Sequence, residues 1–259
     1  MTKIQELATQ LRLPYIRDNA EELILQAQRT GQDFQTVLMT LLLSEAERRA
    51  KSGNDRRISV ARFPVKRYLA DFDRSRYDRT FLPKFKELET LKFIENKENI
   101  ILIGTTGAGK THYATALGIA ACMAGKTVLF STIPNLVVDL KEAMNQHQLA
   151  IYRRKFERVD LVILDELGYI SYDKAGTELL FQMLSNRHGK GSIIVTSNLT
   201  FDLWESKLGD PVLASALIDR LAHKAHVLDI SREQGGRFEE TLAWLQNRAE
   251  EVVTEEIAV

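Results

Sequence analysis

The 259-residue sequence predicts an α/β fold, a parallel sheet flanked by helices and preceded by a small all-α N-terminal domain. Strand-like runs at Ile100 to Ile103, Thr127 to Phe130, Leu161 to Leu164, Ser192 to Thr196 and Ala225 to Leu228 alternate with helical patterns. The first run leads into Gly104-Thr105-Thr106-Gly107-Ala108-Gly109-Lys110-Thr111, a complete G-x-x-x-x-G-K-[ST] phosphate loop, and a helical pattern follows it through Ala120. Before Ser52, by contrast, apolar residues recur at three- and four-residue spacings.

From Ile4 to about Ser52, Leu7, Leu11, Leu23, Ile24, Ala27, Phe34, Val37, Leu38, Leu41 and Leu42 keep helical spacing. Asp18-Asn19 and Gly31-Gln32-Asp33 are the expected boundaries, so three or four short helices are predicted. Residues Lys51 to Tyr77 carry Gly53, Asn54, Pro64 and many charges, and read as a linker pinned by Phe63 and Phe72. The expected organisation is a helical domain at 1–62 for partner, DNA or oligomer contacts, a linker at 63–80, and a domain at 81–259 that carries the phosphate loop. A helix is expected from Pro134 to Tyr152, and the tail from Glu239 onward, with Glu250, Glu251, Glu255 and Glu256, is acidic and read as frayed.

Thirty-five basic and 35 acidic residues cancel, so bulk charge does not argue for nucleic acid and any binding surface must come from local clustering. The single cysteine, Cys122, excludes an internal disulfide and reads as an inert packed thiol, which suits a reducing cytoplasm. The N-terminus lacks the apolar core of a signal peptide, and no uncharged apolar stretch approaches the roughly twenty residues that span a bilayer. A soluble cytoplasmic protein with no membrane partner is expected.

The loop implies nucleoside triphosphate binding, because backbone N–H groups of a glycine-rich turn wrap phosphates and the following helix adds its positive end. Lys110 reaches the β- and γ-phosphates, Thr111 offers a hydroxyl to magnesium, and Gly107 and Gly109 sit where a side chain would block the backbone's approach. The run Leu161 to Leu164 then enters Asp165-Glu166, where Asp165 holds magnesium through water and Glu166 polarises the attacking water. That adjacent glutamate turns a nucleotide binder into an expected hydrolase.

Two further residues extend the catalytic set. If the strand ending at Thr196-Ser197-Asn198 lies between those ending at Gly104 and Asp165, Asn198 contacts the attacking water or the γ-phosphate; the alternative is an ordinary loop-start asparagine. Arg220 on the helical stretch Ala216 to Leu221 is a candidate finger for a neighbouring subunit, the alternative being a salt bridge with Asp219 or Glu166. For DNA the best local footprints are the stretch holding Arg48, Arg49, Arg56 and Arg57, and the cluster Arg153, Arg154 and Lys155 after the helix that carries Lys141. Each cluster reads equally as a solvated helical face, and contacts of this kind would be to phosphates and independent of sequence.

Taken together, these segments resemble the AAA+ P-loop NTPases of the IstB and DnaC group, and above all the IstB-like ATP-binding helper proteins of insertion sequences. The resemblance rests on Gly104 to Thr111 followed by His112, on Asp165-Glu166-Leu167-Gly168-Tyr169, on Thr196-Ser197-Asn198-Leu199 with Trp204, and on Asp219-Arg220-Leu221 leading to His223. It spans nearly the whole chain and places His112 with the loop in the nucleotide-binding set. It implies ATP hydrolysis with magnesium, assembly into a ring or helical homo-oligomer on duplex DNA, and partnership with a cognate transposase; a DnaC-like helicase loader is the alternative. Ser231 to Arg237 departs from the family's usual Gly-Glu-Ser-Tyr-Arg-like stretch, so no nucleotide-sensing role is carried onto Arg232 or Arg237, and too few residues follow Leu228 for a helical lid. A small-molecule phosphotransferase, against which Glu166 argues, and a nucleotide-controlled scaffold are the readings from other classes.

Overall fold

The structure is a computed structural model that describes residues 2–230; the acidic tail, Arg232, Arg237 and any lid lie outside the described residues. The chain divides into two compact units, Met1–Arg56 and Arg57–Val259.

The first unit holds α1 (Lys3–Gln10), α2 (Pro14–Thr30) and most of α3 (Phe34–Ala61), which carries the boundary between the units. Three helices are present, and the third is 28 residues long rather than short. Gly31 ends α2 in the left-handed conformation, φ 68°, as its position in the sequence implied. Asp18 and Asn19 do not mark a boundary, because α2 begins four residues earlier, with Pro14 in its first turn. Its cap comes from α3 instead: the buried Glu45 carboxylate accepts the N–H groups of Tyr15 (2.7 Å) and Ile16 (3.1 Å). The expected linker start at Lys51 is likewise corrected, since α3 runs through Gly53 and Asn54 to Ala61. Burial of Ile58 and Ala61 in the core overrides the weak helix preference of Gly53 and Asn54.

In the second unit, two 3-10 turns (Leu69–Asp71 and Arg74–Arg76) precede α4 (Phe81–Glu89) and α5 (Lys92–Glu95). Phe63 and Phe72 do pin the segment before α4. Phe63 lies against Phe130 at 6.1 Å between ring centres, and Phe72 stacks on Tyr77 at 5.2 Å.

Then follow β1 (Asn99–Ile103), α6 (Lys110–Met123), β2 (Val128–Thr132), α7 (Ile133–Asn145), α8 (Leu149–Arg158), β3 (Leu161–Leu167), α9 (Lys174–Arg187), β4 (Ser192–Ser197), α10 (Phe201–Lys207), α11 (Pro211–Ala222) and β5 (Ala225–Asp229). All five expected strands are present, and they pair in parallel in the order β2-β3-β4-β1-β5. Alternate strand residues feed two cores. Ile101, Ile103, Val162, Leu164 and Val195 pack with α7, α9 and α11, whereas Ile100, Leu102, Ile163 and Ile194 pack with α6 and α4.

The helix expected from Pro134 to Tyr152 is two helices, broken where His147 adopts φ 57°, so Arg153, Arg154 and Lys155 lie inside α8 rather than after a helix. Cys122 is fully buried, and burial pushes its thiol up to about 11. Among the described residues no helix is long and apolar enough to cross a membrane.

Candidate nucleotide-binding site

The interior position of β1, between β4 and β5, sets the site. At its end the chain turns through Gly104, Gly107 (φ 79°) and Gly109 (φ 99°) before α6 begins at Lys110. Both left-handed glycines are needed for different reasons. A Cβ on Gly107 would meet nothing but would force a strained backbone, whereas one on Gly109 would run into the Tyr77 hydroxyl. Tyr77 braces the loop from outside, its hydroxyl donating to the Ala108 carbonyl at 2.6 Å.

Lys110 is buried, and its ammonium donates to the carbonyls of Gly104 (2.7 Å) and Thr105 (2.9 Å). Desolvation pulls its pKa down, opposed by the negative charges of Asp165 and Asp229. The Thr111 hydroxyl donates to both oxygens of the Asp165 carboxylate, at 2.9 and 3.0 Å. A second hydroxyl, from Thr196 on β4, also donates to Asp165 and accepts the Glu166 N–H at 3.1 Å.

Lys110, Thr111, His112, Asp165, Glu166 and Thr196 line one cavity of about 220 Å³, with Thr106, Gly107 and Gly109 of the loop. Its oxygen donors, a hydroxyl and a carboxylate held together beside a lysine, suit a hard divalent cation carried on a polyphosphate. His112 turns its ring edge to Phe72 at 5.5 Å, and its Nε2 is buried without a hydrogen-bond partner among the described residues.

β4 does lie between β1 and β3, the condition set for Asn198, which follows directly after Ser197. Its Oδ1 is buried and unpartnered, but Asn198 does not itself line the cavity. Arg220 is not brought to this site. Its guanidinium lies 5.0 Å from the Phe181 ring centre and lines a separate cavity with Asn99, the first residue of β1, at the opposite end of the strands.

Among the cations proposed for DNA, several are already engaged. Arg48 pairs with Asp18 (2.9 Å), Arg49 donates to the Arg12 carbonyl (3.0 Å), Arg57 to that of Cys122 (2.9 Å), and Lys141 pairs with Asp173 (2.8 Å). Arg153 lies 3.9 Å from Glu157, whereas Arg56, Arg154 and Lys155 are exposed.

Thr196 and Tyr77 were missed in the sequence. Thr196 carried a usable signal, a hydroxyl on an otherwise apolar buried strand two residues before Asn198, whereas Tyr77 had none.

Comparison with known proteins agrees with this geometry. A family profile described as IstB-like ATP binding protein matches residues 6–240. The ATP-binding protein of insertion sequence IS21 from Pseudomonas aeruginosa is 35% identical over 238 residues, covering 90% of this chain and 88% of the relative. That of IS5376 from Geobacillus stearothermophilus is 31% identical over 231 residues, covering 89% and 92%. Among solved structures, a replication initiator DnaA bound to AMPPCP and single-stranded DNA superposes with a TM-score of 0.54 at 20% identity, over 68% of this chain and 52% of that one. The chain thus spans about half the length of that initiator. DnaI superposes with a TM-score of 0.55 at 19% identity, over 63% of this chain and 90% of that one. These likenesses show the AAA+ P-loop fold, and with the family profile and the insertion-sequence relatives they establish that the chain belongs to the IstB-like ATP binding proteins.

Proposed function

We propose that this protein is an ATP hydrolase that assembles with further copies of itself on duplex DNA and delivers or remodels that DNA for the transposase of its insertion sequence. The observation that carries the reading is the convergence of Lys110, Thr111, Asp165 and Glu166 on one cavity at the ends of neighbouring parallel strands. Lys110 binds the β- and γ-phosphates, leaving the loop carbonyls that now take its protons. Thr111 and Asp165 would hold magnesium, which when bound neutralises charge on the phosphate oxygens. Glu166 accepts the proton of the attacking water, and Asn198 orients that water or the γ-phosphate.

Arg220 supports the assembly part of the reading. It sits at the starting end of the strands while its own phosphate loop follows their finishing end, so it serves the nucleotide of a neighbouring copy. The insertion-sequence relatives support the transposase as partner. DNA contacts fall to the exposed Arg56, Arg154 and Lys155, with Arg48, Arg49, Arg57, Lys141 and Arg153 joining where their present partners yield.

The test is ATP turnover against protein concentration, with and without duplex DNA, for the parent, Glu166→Gln and Arg220→Ala. Cooperative, DNA-stimulated turnover is expected, falling about 100-fold or more in Glu166→Gln and about 1,000-fold in Arg220→Ala, while Glu166→Gln still binds ATP. Turnover that is first order in enzyme and indifferent to DNA rejects the assembly reading. Full activity in Arg220→Ala rejects the finger.

A further inference from the structure

Asp165 and Glu166 are adjacent in one strand, and adjacent strand residues point to opposite faces of a sheet. Yet both line the same cavity. The pairing of β3 with β4 explains how. Leu164 stands beside Val195 and Leu167 beside Ser197, so two residues of β3, Asp165 and Glu166, oppose the single residue Thr196. This is a β-bulge, and it re-aims the second carboxylate. Its cost is visible at Glu166, whose φ of 67° is left-handed, a conformation in which a Cβ crowds the following carbonyl oxygen.

Such a residue persists only where its surroundings hold it. Its N–H, displaced from the regular ladder, is taken by the Thr196 hydroxyl oxygen at 3.1 Å. The same hydroxyl has one proton to give, and gives it to the Asp165 carboxylate. Thr196 is 1% exposed, so both bonds are shielded from bulk solvent.

We infer that Thr196 is a positioning residue: one hydroxyl, opposite the bulge, holds the backbone turn that brings Glu166 to the cavity and the carboxylate of Asp165 beside Thr111. The inference rests on the reading of Glu166 as the group that activates water. A serine at this position keeps both bonds, whereas an isosteric valine leaves the Glu166 N–H buried without its partner and Asp165 held by the Thr111 hydroxyl alone. The regular register, with Glu166 turned to the other face, then competes with the bulge.

The test compares the parent, Thr196→Val, Thr196→Ser and Glu166→Gln, measuring ATP affinity by calorimetry in EDTA, and kcat and half-saturating magnesium in DNA-stimulated turnover. Thr196→Val is expected to lose about tenfold in kcat and to need more magnesium, with ATP affinity within about twofold of the parent. Thr196→Ser restores most of the kcat. Parental turnover in Thr196→Val, equal impairment in Thr196→Ser, or loss of ATP binding in step with kcat overturns the inference. Full turnover in Glu166→Gln instead removes the reading on which it rests, whatever Thr196→Val does.

Discussion

The two ends of the same sheet both bury charge, and they use it differently. At the starting end Arg187, on α9, is fully buried. Its guanidinium donates to the carbonyls of Phe156 (2.6 Å), Val159 (2.9 Å), Asp160 (3.1 Å) and Ser192 (3.0 Å), tying the end of α8 to the start of β4. Burial pulls its pKa down to about 10, against the opposing charges of Asp160 and Glu157. Nearby, Asn99 bridges the Leu221 carbonyl and the Ile193 N–H, and the Ser192 hydroxyl donates to Phe93. Most of the polar capacity there is absorbed by fixed backbone groups, the Arg187 Nε excepted.

At the finishing end less of the polar capacity is absorbed in this way. Lys110 rests on loop carbonyls, Asp165 on two hydroxyls, Glu166 on a bulge, and the Nε2 of His112 and Oδ1 of Asn198 have no hydrogen-bond partner among the described residues. Burial alone therefore does not mark a functional charge. What distinguishes it is a partner that can be exchanged for a ligand, and a backbone that departs from regular geometry to present it.

The largest effect that would test this contrast is at Arg187. Arg187→Met removes the guanidinium from four carbonyls, of which that of Asp160 keeps the Ser192 N–H, and is expected to cost about 3–5 kcal/mol in urea unfolding; a loss under about 1 kcal/mol would erase the structural role assigned to that end. Next comes Trp204→Phe, since the indole N–H bridges Ser197 Oγ (3.0 Å) and the Leu199 carbonyl (3.1 Å) behind the site. About 1–2 kcal/mol should be lost there, with ATP-induced thermal protection retained.

Lys110→Met should go the other way. Removing a desolvated cation that is kept for its ligand is expected to raise the unfolding free energy by about 0.5–1 kcal/mol while abolishing the shift that ATP produces. A fall in stability would place Lys110 in the same class as Arg187. The smallest effect concerns Cys122, on α6 after the loop. With the thiol pushed up to about 11, the reactive thiolate is scarce at pH 8 and grows as pH rises toward that value. Alkylation at pH 8 should run about 100-fold slower or more in the native than in the unfolded protein, without a change in stability; comparable rates would show the helix to be loosely packed.

Legibility followed the range of the forces. The five strands were readable because strands buried on both faces are short apolar runs, and the loop was readable because its glycines answer to local backbone geometry. Gly31 stopped α2 for the same local reason. The start of α2 was misread because its cap, Glu45, lies some thirty residues away. The continuation of α3 past Gly53 was hidden because the burial of Ile58 and Ala61 decides it.

For the chemistry the division is similar. Residue type and spacing identified the phosphate loop and the Asp165-Glu166 pair, because phosphate and metal chemistry demand particular atoms at fixed intervals along the chain, and those segments carried the resemblance to the family that the profile shows. Three features stayed out of reach: the bulge by which two adjacent carboxylates enter one cavity, that Thr196 stands alone opposite them, and that Arg220 lies at the end of the strands remote from the loop. Those are matters of strand register and strand direction, set by pairing between segments about thirty to a hundred residues apart, and only folding brings them together.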